Sequence, residues 1–203
     1  GRRGRRPALV MAGARHYHRP GPFRKTAMPI ASPFLAACAL VAAVGMPIAA
    51  AGQPATIPAA SAFATLKSLQ GEWIDVDGAF GMKGQVAVIY RVTGGGSAIV
   101  ETLFAGTPHE MVTVYTREGN DLVLTHYCSA GNQPRMRART TDGKVVAFEF
   151  DGGTNLDPAK DGHMHAGRIE FVSADRVRAQ WIGWDKGAPS PHNPRFELER
   201  KKG

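Results

Sequence analysis

Residues 52–203 contain a single cysteine, Cys128, and the preceding segment contains one more, Cys38. With one thiol, residues 52–203 can form no internal disulfide, so their stability must come from a packed core. Acidic residues are missing from residues 1–51, which carry eight of the 25 Lys/Arg and no Asp or Glu. The other 17 basic residues are matched by 17 acidic ones, so the formal charge of +8 belongs to the leader. A region of zero net charge gives no electrostatic ground for nucleic-acid binding. No glycine-rich phosphate loop opens a helix, since "TGGGS" (93–97) joins two strand-like runs, and no serine-centred nucleophile elbow is present.

One long apolar run exists, "FLAACALVAAVGMPIAAA" (Phe34–Ala51), behind Arg24 and Lys25. It ends in three alanines, the small-residue pattern that signal peptidase requires. The run is long enough to span a bilayer. Its alanine content, with Gly45 and Pro47 near the end, favours a cleaved export signal over an anchor. Met11 supplies a basic n-region, whereas a start at Met28 leaves the signal without positive charge. "LAAC" (35–38) has the form of a lipobox, but the apolar run continues past Cys38. The expectation is an export leader over 1–51, a linker over 52–60 and one domain over 61–203. The mature protein is then periplasmic or extracellular, with no membrane span after cleavage.

Ser61 is placed to cap a helix reaching about Gln70, with Phe63, Leu66 and Leu69 at helical spacing and Gly71 as its stop. Beyond it, period-2 runs alternate with turn compositions such as "EGND", "TDGK" and "SADR". The runs fall at 72–77, 85–93, 97–104, 110–117 and 121–128, then at 134–140, 144–150, 163–172, 176–184 and 195–200. Short connections between sequential runs predict an all-β fold, an antiparallel meander of about ten strands. Closure into a barrel removes its edges and encloses room for one small molecule. A β-sandwich needs longer connections than these.

"LKSLQGEWIDVDG" (66–78), a short helix running into Gly71-Glu72-Trp73, resembles the entry of a calycin-type barrel, the group of lipocalins and fatty-acid-binding proteins. The resemblance implies that Trp73 packs across the closed barrel end beneath a basic residue of the last strand, Arg200 or Arg195. "GAFGMKG" (78–84) is too short for the helical lid of fatty-acid-binding proteins, and the long C-terminal lipocalin helix is absent.

Three stretches carry residues capable of chemistry. In "LTHYC" (124–128), alternation sets Leu122, Leu124, His126 and Cys128 on one face. Facing inward, His126 and Cys128 would line the lumen, although neighbours at i, i+2 are too far apart for a nucleophile–base pair. In "HMHAGRIEF" (163–171), His163 and His165 are in phase with Ile169 and Phe171 and are expected to face the interior, with Glu170 outward. H-x-H-x4-E is also similar to the first half of a cupin metal motif, for which His192 is the sole downstream histidine. Trp181 is in phase with Val177 and Ala179, while Trp184 falls on the opposite face. Arg135, Arg137 and Arg139 share one face and are expected outside, paired with acids such as Glu149.

These residues support an exported, non-catalytic barrel holding a small hydrophobic or amphipathic ligand with no cofactor. Its expected contacts are His126, Cys128, His163, His165 and Trp181. The alternative is a barrel, enzymatic or not, in which His163 and His165 hold zinc or iron, or a histidine ligates haem. A third option is an interior filled by side chains in a protein that binds another protein.

Overall fold

A computed structural model describes residues 57–203 apart from residue 192. The leader, most of the linker and His192 lie outside the described residues. Helix α1 (Ala59–Lys67) begins two residues before Ser61 and has Pro58 at its N-cap. The Pro58 carbonyl accepts the N–H groups of Ser61 and Ala62, so no side-chain cap is used. Ala62, Phe63 and Leu66 are buried. The helix stops at Lys67, short of Gly71, which instead opens the first strand at φ 130°. A Cβ on Gly71 would stand 3.3 Å from Nη1 of Arg200, so both the backbone and the close approach call for glycine.

The first five strands are β1 (Gly71–Asp75), β2 (Val86–Thr93), β3 (Ala98–Leu103), β4 (Met111–Glu118) and β5 (Asp121–Tyr127). There follow β6 (Gln133–Thr141), β7 (Val145–Thr154), β8 (His163–Ser173) and β9 (Arg176–Asp185). Ala188–Pro189 (β10) folds back as a two-residue extension on the end of β9, and β11 (Arg195–Arg200) completes the chain. Each strand from β1 to β9 pairs antiparallel with the next, and β11 pairs with both β9 and β1. The result is a closed, ten-stranded antiparallel barrel with one short helix, and closure leaves no long unpaired edge.

The core follows from strand alternation. Trp73, Tyr90, Ile99, Tyr115, Leu124, Met136, Phe148 and Leu198 are all fully buried. Outside, Arg135 pairs with Glu118 and Asp151, Arg137 with Asp121 and Asp151, and Arg139 with Glu149.

One barrel end is shut by the segment between α1 and β1. Trp73 Nε1–H donates to the Leu69 carbonyl at 2.7 Å. The Arg200 guanidinium lies 4.5 Å from the centroid of the Trp73 ring and donates to the carbonyls of Ser68 and Gln70, each at 2.8 Å. Arg200, not Arg195, therefore supplies the basic lid. It joins cation–π attraction to hydrogen bonds that satisfy carbonyls left over at the helix end.

Candidate functional site

The strand directions set the open end. β1 leaves Trp73 and runs towards Asp75, so Leu103, Met111, His126, Met164 and Phe196 gather away from the helix. There a cavity of about 280 Å³ is walled by Leu103, Phe104, Met111, Met164, Trp181 and Phe196, with His126 and Cys128 in its lining. The exposed His109 and Ser129 also line it, so the cavity reaches solvent. Phe80, from the short β1–β2 connection, stacks on Phe196 with ring centroids 4.3 Å apart. The 78–84 segment is too short for a helical lid, yet it delivers one aromatic cover. Asp75 Oδ1 accepts the Gly78 N–H at 3.0 Å and anchors this connection, and burial raises the Asp75 carboxyl above its ordinary pKa.

His126 is the cavity's most constrained polar group. It is 3% exposed, its ring stacks on Trp181 with centroids 5.4 Å apart, and Nδ1 lies 3.0 Å from Thr113 Oγ1. Thr113 faces Glu101 across the β3–β4 ladder. Tyr90 and Tyr115 donate to Glu101, at 2.7 and 2.9 Å. Two tyrosine hydroxyls thus converge on one fully buried carboxyl group. Burial lifts the Glu101 pKa above its ordinary value, while the nearby Tyr90, Thr113 and Tyr115 hydroxyls oppose the rise.

His126 Nδ1 is engaged by Thr113, and Nε2 has no hydrogen-bond partner among the described residues. Burial pulls the imidazole pKa down to about 4, so the ring is neutral at physiological pH.

His163 and His165 are placed differently from the alternation expected of them. β8 carries a register shift between Met164 and Ala166, so His165 is an extra residue opposite β9. From Ile169 and Gly167 the inward phase passes to Met164, which lines the cavity, while His163 pairs with Trp184. Neither histidine lines this cavity, and His163 instead lines a neighbouring recess that shares Cys128, Ser129 and Met164 with it. A bulge does this by adding one residue to one strand and reversing the faces beyond it.

Instead the two histidines form an aromatic cluster at the rim. His165 stacks on Phe150 (4.7 Å, 17°) and on Trp184 (4.2 Å, 15°). His163 Nδ1 lies 2.8 Å from the Asp161 carbonyl, which only accepts, so Nδ1 carries the proton. His163 Nε2 lies 3.0 Å from His165 Nδ1, so a hydrogen bond links the two rings. Burial, followed by the neighbouring His163, lowers the His165 pKa. The pair spends two nitrogens on each other, and no group of three His, Cys, Asp or Glu suited to a metal ion occurs among the described residues.

Cys128 is a half-buried free thiol, and no hydrogen bond joins it to His126 among the described residues. The residues not anticipated from sequence are Glu101, Thr113, Tyr90 and Tyr115. A signal was present: Glu101 sits in phase between Ile99 and Leu103, where a lone carboxylate on an apolar face demands buried donors. Fold and site define a closed β-barrel with an apolar end cavity and one buried imidazole in its lining. No family model matches the chain, and comparison with curated proteins finds no match.

Proposed function

We propose that the protein is an exported, calycin-like barrel that binds a small, largely apolar molecule in the open-end cavity without transforming it. The observation that carries this is an aromatic and aliphatic cavity wall interrupted by the buried imidazole of His126. Small-molecule sites combine apolar walls with a few polar atoms that fix orientation. The volume lies near the lower end of the roughly 300–1,000 Å³ range of such sites, which favours a compact ligand over a long chain. Export is supported by the leader's charge asymmetry and apolar run. The calycin likeness is supported by the helix, Gly-x-Trp entry and Arg200 lid at one barrel end.

Expression of the full chain, recovery of the exported product and native mass spectrometry provide the test. A co-purifying small molecule released by organic solvent, or a raised melting temperature with p-xylene, is expected. A product that carries nothing and whose melting temperature no apolar probe moves would refute a binding role.

A further inference from the structure

We infer that the cavity selects its ligand by ring stacking, and that the molecule it prefers carries a flat aromatic ring rather than an alkyl chain or a saturated ring. The inference rests on the cavity being a ligand site and names the class of ligand that site takes. It follows from how rings are distributed around the space. Phe80, Phe104 and Phe196 form one cluster, with the Phe104 centroid 5.4 Å from that of Phe80 and 6.0 Å from that of Phe196. Phe80 and Phe196 are stacked, 19° from parallel. Trp181 and His126 form a second stack, 30° from parallel. All five rings line the same cavity.

Backbone pairing holds the two groups side by side. Phe196 on β11 neighbours Trp181 on β9 through the pairing of those strands, and the Trp181 N–H donates to the Pro194 carbonyl at 2.9 Å. A flat guest can offer its face or edge to these rings in the offset and tilted arrangements that aromatic quadrupoles favour, whereas a saturated guest gains only area burial. Met111 and Met164 complete the wall, and their thioether sulfurs also make favourable contacts with aromatic rings. No Asp, Glu, Lys or Arg is among the lining residues, so the ring that enters is best uncharged. Phe80 is the specificity-determining residue of the group. It is half-buried, sits on the β1–β2 connection and meets the barrel wall through its stack on Phe196.

Two volatile probes of similar outline test this, p-xylene and trans-1,4-dimethylcyclohexane, with binding to the exported protein read by headspace gas chromatography. Neither probe has a polar group, so the comparison isolates the ring face. A cavity that selects by apolar area alone would favour the saturated ring, which has the larger hydrocarbon surface. The wild type should instead bind p-xylene about three- to ten-fold more tightly. Phe80→Leu keeps an apolar cover but removes the ring, and should cut that preference by at least about two-fold while the saturated probe still binds. Trp181→Leu should reduce it in the same direction. Equal or tighter binding of the saturated probe by the wild type would overturn the inference and leave the cavity as a ligand site. Full retention of the preference in both variants would overturn the assignment of selection to these rings. Binding of neither probe would overturn the inference and the binding role together, and the wild-type comparison decides even if a variant fails to fold.

Discussion

A Cβ added to Gly167 would stand 2.9 Å from Cζ3 of Trp181. The indole lies against the β8 backbone because that position has no side chain, and His126 stacks on the same ring. A glycine on one strand thereby places the aromatic wall of the cavity on the next.

Gly167→Ala should therefore push Trp181 from its seat. Overpacking of this kind costs about 1–3 kcal/mol, to be read from urea unfolding followed by tryptophan fluorescence. Affinity for p-xylene should fall as well. An unaltered midpoint would mean that the indole yields freely and does not define the wall.

The closed end should be the barrel's most sensitive point. Trp73→Ala removes a fully buried indole and should cost about 3–5 kcal/mol. Arg200→Ala should cost about 1–3 kcal/mol, since it strips donors from Ser68 and Gln70 and the cation from the Trp73 ring. Denaturant titration of both variants checks the order, and equal costs would contradict it.

Glu101→Leu should destabilise by about 3–5 kcal/mol, because Tyr90 and Tyr115 lose their acceptor inside the core. Adding Tyr90→Phe and Tyr115→Phe removes the stranded hydroxyls and should recover part of the loss. A triple variant no more stable than Glu101→Leu alone would show that the carboxylate acts through packing rather than as an acceptor.

His126 makes folding pH-dependent. Its pKa of about 4 in the folded protein lies below the ~6.5 of an exposed histidine. Between these values the unfolded chain binds the extra proton, so stability is complete above pH 6.5 and is lost as pH falls towards 4. The contribution is on the order of 3 kcal/mol. His165, whose pKa is also lowered, adds a term of the same sign. Unfolding free energies at pH 7.5 and 4.5 should therefore differ less in His126→Phe than in the wild type. Parallel pH profiles would refute the assignment.

The rim histidines and the cavity histidine should separate functionally. His163→Ala and His165→Ala should leave p-xylene affinity within about two-fold of wild type, since neither side chain lines the cavity. Losses matching that of His126→Phe would show that the three histidines act on one ligand.

The strand plan was legible because its signals are local. β9 was expected at 176–184 and spans Arg176–Asp185, and β11 coincides with the expected 195–200. Alternation placed Leu124, His126 and Trp181 inward, and composition placed Arg135, Arg137 and Arg139 outward, because the pleat repeats every two residues and charge stays near water. The helix start was misjudged by two residues, since Pro58 accepted the first helical bonds without help from Ser61.

The facing of His163 and His165 could not be read from β8 alone. Whether a residue is inserted there depends on how β8 pairs with β9, and one insertion exchanges the faces of everything beyond it. The polar setting of His126 lies further still from the sequence. It depends on Thr113 from β4, Glu101 from β3 and Tyr90 from β2 meeting in one desolvated space. Local periodicity determined which faces were buried. Barrel closure and strand register decided which buried groups meet, because hydrogen bonds act over about 3 Å and link residues that the chain itself keeps far apart.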